Sequence, residues 1–389
     1  MMTSNRFQVA LALAAMTVAG LALQSPVQAA KPLKVYILAG QSNMEGQGAI
    51  RTFPAIGDDP NAAPLLKQML DDGGKPVVCD KVWITYPARE RQGKLTAGFG
   101  ASEDRIGPEF TFGLTMQKHL DEPILLIKIA WGGKSLHTDF RPPSAGPYEM
   151  SAFQKTQYPK QQGHGIPKDL AQWKADKIKA TGHYYRLMLE DIRKALKNIQ
   201  AVCPAYDAKQ GYELAGFVWF QGWNDYCDGH VYPDGHKPGG YDLYTKLLVH
   251  FIRDVRKDLS ASKLPFLIGV FGVRGIVDPD KKAVHFRQAM TAPAALAEFK
   301  GNVVAVPTAP YWAEELEPIY WKRRKISSMH GKLHGEELAA FKAKTITPAE
   351  EALWQRGGSN GDYHYLGSAR TFAQIGDAFA KAMLKMEKN

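Results

Sequence analysis

Six short runs in this chain are apolar almost without interruption: residues 34–39 (KVYILA), 82–86 (VWITY), 124–130 (ILLIKIA), 214–221 (LAGFVWFQ), 265–270 (PFLIGV) and 302–306 (NVVAV). A strand with one wet face alternates polar and apolar residues, whereas a strand covered on both faces does not. The runs therefore predict strands of a mostly parallel sheet. Helical patterns lie between them. Pro108 and Glu109 suit the first turn of a helix reaching about His119. Residues 168–198 carry one or two helices. Residues 241–259 place Leu243, Leu247, Leu248, Phe251 and Val255 on one helical face, and a last helix from about Ser368 does the same with Phe372, Ile375, Phe379 and Met383. Strands alternating with helices specify an α/β fold with helices on both faces of the sheet.

The chain has 389 residues, 45% of them hydrophobic, which suits one large domain or two ordinary ones. No internal repeat or linker divides it, and we read residues 31–389 as one domain. Stretches 140–167 and 228–240 are long Pro/Gly-rich loops, and 310–358 is an irregular insertion with helical character. The formal net charge is +10, with the densest basic run at Lys322-Arg323-Arg324-Lys325. No recognition motif or aromatic–basic repeat accompanies it, so a basic surface is expected and nucleic-acid binding is not.

Residues 1–30 have the order of a secretory signal. Arg6 precedes the apolar stretch VALALAAMTVAGLAL at 9–23, and small residues follow up to Ala29 and Ala30. The apolar stretch is shorter than a membrane span requires. The expectation is an exported protein, periplasmic or extracellular, with no membrane partner after processing. The three cysteines, Cys79, Cys203 and Cys227, leave room for one disulfide and a free thiol. Their spacing matches no zinc motif. His330 and His334 are spaced like two ligands on a helix, but Gly331 weakens that helix and no glutamate completes an HExxH pattern. No metal or cofactor is expected.

In open parallel sheets, ligands bind beyond the carboxyl ends of the strands. After the first strand comes Gly40-Gln41-Ser42-Asn43-Met44, a turn that can expose a serine hydroxyl. Taken alone, a serine there reads more readily as an ordinary turn residue than as a nucleophile. After 124–130 comes Trp131-Gly132-Gly133, whose paired glycines let backbone N–H groups approach a ligand. After 214–220 come Gln221-Gly222-Trp223-Asn224-Asp225, where a buried amide needs a partner. Near the C-terminus, His364 precedes the last helix and Asp362 lies two residues before it. A nucleophile, a base and oxyanion donors form the parts list for acyl transfer.

These blocks, GQSNM, IKIAWGGKSL, FVWFQGWND and DYHYLGSA, resemble those of SGNH hydrolases, in the branch of sialate O-acetylesterases and related carbohydrate acetylesterases such as acetylxylan esterases. The likeness runs from about residue 34 to about 385. It implies a three-layer α/β/α sandwich and metal-free hydrolysis of acetyl esters on carbohydrate. Carried onto this chain, it makes Ser42 the nucleophile and His364 the general base. It makes the Ser42 and Gly133 N–H groups and the Gln221 side chain the oxyanion donors. Asn43, Glu109, Trp223, Asn224 and Asp225 become substrate-binding candidates. Two departures stand out. The family places an aspartate three residues before the histidine, where this chain has Gly361, and Trp223 stands where an acidic residue is usual. Three candidates for orienting His364 follow: Asp362 first, Asp225 second, and a backbone carbonyl third. Competing functions are a carbohydrate-binding protein with little turnover and a general short-chain carboxylesterase.

Overall fold

A strand buried on both faces needs neighbours at both edges and a helical layer on each side. The computed structural model, which describes residues 31–160, 169–277 and 280–388, has that arrangement. The candidate signal at 1–30 and residues 161–167 of the long loop lie outside the described residues.

Among the described residues nine strands occur in chain order: β1 (Leu33–Gly40), β2 (Gly48–Ala49), β3 (Val82–Tyr86), β4 (Arg91–Lys94), β5 (Arg105–Ile106), β6 (Ile124–Ala130), β7 (Tyr212–Phe220), β8 (Phe266–Val270) and β9 (Val303–Pro307). Seven form one sheet in the order β4-β3-β6-β1-β7-β8-β9, and β2 and β5 pair as a small ribbon. The six apolar runs supply all the parallel strands. The seventh, β4 (RQGK), pairs antiparallel with β3 at an edge, where half its side chains meet solvent and no apolar run is required.

Side-chain alternation along β7 shows the two helical layers. Phe217 and Trp219 contact Phe251 of helix Asp242–Asp258, with ring centroids 6.1 and 4.3 Å apart. Phe220 points the other way, to Phe379 of helix Ala369–Glu387 at 5.4 Å. That last helix also bonds to helix Glu109–His119: Thr111 donates to the Ala373 carbonyl at 2.7 Å. The result is a three-layer α/β/α sandwich.

The segment 310–358 folds largely as three helices, Glu317–Met329, Gly335–Thr345 and Pro348–Gly357, the last begun by a Thr347–Glu350 capping box. His330 and His334 flank the gap between the first two and share no helix. All three cysteines are free thiols. Among the described residues, no helix is long and apolar enough to cross a membrane.

One side chain inside the sheet is charged. Lys128 of β6 is fully buried, and its Nζ donates to Glu109 Oε2 at 2.7 Å, to the Glu45 carbonyl at 2.8 Å and to the Phe99 carbonyl at 2.6 Å. Glu109 is equally buried, and its other oxygen accepts the Gly107 N–H at 2.8 Å. A buried ion pair with every partner satisfied is tolerated; one half alone is not. Lys128→Met should therefore lower stability by about 3–5 kcal/mol. Lys128→Met with Glu109→Leu should recover most of that loss. Urea denaturation of the two variants checks this, and equal losses would contradict it.

Candidate active site

The parallel register brings three strand ends level. Gly40 pairs with Ala130 on one side and with Phe220 on the other. The turn hydrogen bonds continue that register: Gln41 N–H donates to the Phe220 carbonyl and Trp131 N–H to the Gly40 carbonyl, each at 3.3 Å. From β1 the chain builds outward first through β3 and β6 and later through β7, β8 and β9 on the opposite side. Connections diverge at β1, which opens the crevice where such sheets bind ligands.

Ser42 begins a one-turn helix, Ser42–Glu45, closed by Met44 and Glu45 N–H bonds to the Gln41 carbonyl at 2.8 Å. First-turn N–H groups have no partner inside a helix. The Ser42 N–H accordingly has no acceptor among the described residues, and its hydroxyl is unpaired there too. Ser42 keeps 8% of its surface exposed at this strand end.

The glycine pair after β6 faces this turn. A Cβ on Gly132 would lie 3.0 Å from Glu45 Oε2 and 3.7 Å from Ser42 Cβ, so the loop runs in close contact with the serine turn. Gly133 has φ +72°, a conformation that glycine adopts without penalty, and its N–H also has no acceptor among the described residues. The Glu45 carboxylate is held by Arg89, at 2.7 Å, and by the Tyr86 hydroxyl, at 3.2 Å.

At the end of β7 the amides are more committed than the sequence suggests. Gln221 Nε2 donates to the Lys134 carbonyl (3.0 Å), to Asp225 Oδ2 (2.7 Å) and to Gln41 Oε1 (3.2 Å). Both its hydrogens are used inside the protein, so the side chain braces the loops and is not free to face an oxyanion. Asn224 is differently placed. Gln41 Oε1 accepts the Gly222 and Asn224 N–H groups at 3.1 and 3.4 Å, which fixes it as the oxygen. Gln41 Nε2 then donates to Asn224 Oδ1 at 3.0 Å. The Asn224 Nδ2 group is left as a donor without an acceptor among the described residues, one hydrogen bond from the residue preceding Ser42.

Two expected substrate contacts are structural. Glu109 is enclosed with Lys128. Asp225 is fully buried and accepts from Leu136 N (2.8 Å), His137 N (3.1 Å), Gln221 and the Tyr232 hydroxyl (3.0 Å). Burial pushes the Asp225 carboxyl above its ordinary value, and the charge of His137 opposes that. Asp225 therefore ties the Gly133 loop to β7 and orients no part of His364. Trp223 is half-buried and contacts Tyr363 at 5.8 Å, and Tyr363 in turn lies against His364 at 4.3 Å, forming an aromatic wall beside the crevice.

The His364 segment reaches the serine turn through Asn43, whose Nδ2 donates to the Tyr363 carbonyl at 3.1 Å while its Oδ1 stays buried without a partner among the described residues. The residues next to Ser42 and next to His364 are thus bonded to each other. No hydrogen bond joins Ser42 Oγ to His364 Nε2 among the described residues, and such bonds often tighten only when substrate binds. Directly after His364, Tyr365 and Leu366 are left-handed, with φ 50° and 57°. Each costs about 1–2 kcal/mol for an L-residue. The turn is held by buried Tyr365, whose hydroxyl accepts the Gly272 N–H (3.0 Å) and pairs with Thr308 Oγ1 (2.6 Å).

This turn changes which residue stands behind the imidazole. His364 Nδ1 bonds to Asn360 Oδ1 at 3.2 Å. Asp362, the first candidate, is turned away: its carboxylate accepts from the Tyr320 hydroxyl at 3.2 Å and lies 3.8 Å from Arg274. Burial, and secondarily the charge of Arg105, lower the His364 pKa to about 4. Asn360, Gln41 and Lys128 were not singled out from sequence. Only Lys128 carried a visible signal, as a charge inside an apolar run that demands a partner.

A family model described as carbohydrate esterase, sialic acid-specific acetylesterase, matches residues 32–309, and so ends before His364. No functionally curated protein matches the chain in sequence. Similar solved structures include a protein of Arabidopsis thaliana (16% identity, 91% of this chain and 98% of that one, TM-score 0.47). NanS is similar at 15% identity over 92% and 99% of the two chains (TM-score 0.46). A carbohydrate acetylesterase from Xanthomonas citri is similar at 13% identity over 70% of this chain and 49% of that one (TM-score 0.37).

The anchor of the strained turn is directly testable. Thr308 Oγ1 donates to the Val270 carbonyl at 2.6 Å, so the Tyr365 hydroxyl gives its proton to Thr308 and receives that of Gly272. Tyr365→Phe strands a buried N–H and should cost about 1–3 kcal/mol. Thermal and urea denaturation read this loss, and an unchanged midpoint would contradict it.

Proposed function

This chain belongs to the sialic acid-specific acetylesterase family of carbohydrate esterases, and on that premise we propose that it is an exported serine esterase removing O-acetyl groups from carbohydrate through an acyl-enzyme. One observation carries the reading: the register places Ser42, the Gly132-Gly133 loop and the β7 end at neighbouring strand ends, with His364 tied in through Asn43. Export rests on the signal-like order of residues 1–30.

In the proposed reaction, His364 Nε2 takes the Ser42 proton as Oγ attacks the acetyl carbonyl. The N–H groups of Ser42 and Gly133 receive the developing oxyanion, and we assign the third donor to Asn224 Nδ2 instead of Gln221. His364 then returns the proton to the departing sugar oxygen. Water, activated by the same nitrogen, hydrolyses the acetyl-serine and releases acetate. Trp223 and Tyr363 offer ring faces against which a sugar can pack. This mechanism routes no step through a metal or cofactor.

The missing carboxylate behind His364 favours one second reading, a carbohydrate-binding protein with little turnover. Acetate release separates the two. Ser42→Ala should lower kcat on acetylated polysaccharide or a chromogenic acetyl ester by at least about 10⁴-fold. Its denaturation curve should not change. Persistent activity would overturn the assignment, and a silent wild type that still retains glycan would select the second reading. Asn224→Ala should lower kcat by about 10²–10³-fold with little change in KM. Gln221→Ala should instead show its main effect on stability. The reverse pattern would return the oxyanion role to Gln221.

A further inference from the structure

We propose that Asn360 takes the place of a carboxylate behind His364, and that a relay through Gln47 to Arg105 keeps this histidine an uncharged base with its proton on Nδ1. The inference rests on the reading of His364 as general base. Its support is the direction of each hydrogen bond, which two unambiguous donors fix. A guanidinium has only N–H groups, so the Gln47 atom bonded to Arg105 Nη1 is the oxygen, Oε1. Asn360 Nδ2 donates to that same Oε1 at 3.1 Å. The Gly361 N–H donates to the other side of the amide, Asn360 Oδ1, at 2.7 Å. The atom facing His364 Nδ1 at 3.2 Å is therefore an oxygen. To bond it, Nδ1 must carry the ring proton, which leaves the Nε2 lone pair for Ser42.

A carboxylate in that position would also stabilise the imidazolium. A neutral amide orients the ring without doing so, and the far end of the relay is a cation. The charged groups around the ring agree with this assignment. Burial, and after it Arg105 of β5, oppose a second ring proton. Asp362, on the histidine's own turn, is directed at Tyr320, and Arg274 of the loop after β8 lies beside it. Glu45, from the serine turn, is held by Arg89 and Tyr86. A histidine whose pKa is lowered to about 4 stays a free base in mildly acidic surroundings and loses activity only as pH falls through that value. Asn360 thus acts as a positioning residue that orients the ring and leaves the lowering by burial and Arg105 unopposed.

The test reads the ring itself, independently of turnover. In protein labelled on histidine nitrogens, His364→Gln identifies the His364 signals. The wild type should show the Nδ1–H form and a midpoint well below that of an ordinary histidine. Asn360→Asp should raise the midpoint by about one unit or more, because an opposite charge at hydrogen-bond distance favours the charged form. In parallel, the acid limb of kcat/KM on a chromogenic acetyl ester should move up by the same amount. Asn360→Ala should lower kcat at every pH without raising the limb. A wild-type ring protonated on Nε2, or a midpoint unmoved in Asn360→Asp, would overturn the relay whether or not the protein turns over. A ring that behaves as stated in a protein without Ser42-dependent activity would uphold the relay and overturn the esterase reading.

Discussion

The buried ammonium of Lys128 is the constraint on which the rest of the site depends. It sits in β6, beside β1, and reaches the carbonyl of Glu45 at the end of the serine turn, the carbonyl of Phe99 and the carboxylate of Glu109. One side chain therefore joins the sheet, the turn and the first residue of the helix Glu109–His119. Because charge cannot remain unpaired in that interior, each of these segments must hold its place or the pair breaks. The serine turn is held in place from beneath by this pair.

Above that base, polar groups are sorted by whether the protein itself consumes them. Gln221 and Asp225 look like site residues but spend their bonds holding loops together. The Ser42 and Gly133 N–H groups and Asn224 Nδ2 have nothing to bond within the described residues. Sites that stabilise developing charge need such idle donors, aimed before substrate arrives. The left-handed pair Tyr365–Leu366 is the cost of holding His364 there, and the Tyr365 hydroxyl bonds offset it.

Much of the architecture was legible because burial on both faces leaves a plain trace in composition. The parallel strands could be read from VWITY or ILLIKIA; β4, reading RQGK at a half-wet edge, could not. The positions of Ser42 and His364 were legible as strand-end and pre-helix residues. Their neighbours were not. The family resemblance put Asp362 first behind the histidine, one position later than the family's aspartate, but two consecutive left-handed residues reshape the turn, so that Asn360 meets the ring. Glu109 and Asp225 shared a block with plausible site residues, and only tertiary contacts show them enclosed. Amide direction is likewise beyond sequence, since it follows from donors contributed by distant segments such as Arg105 and Gly222.

The most direct measurement of the central claim is covalent capture of the nucleophile. A fluorophosphonate requires an activated serine hydroxyl and leaves a stable adduct. Peptide mass spectrometry should find that adduct on Ser42 in the wild type and not in His364→Ala, with loss of acetyl-ester hydrolysis in proportion to labelling. An unlabelled Ser42 in a protein that still releases acetate would contradict the account, as would labelling that is unaffected by removing His364.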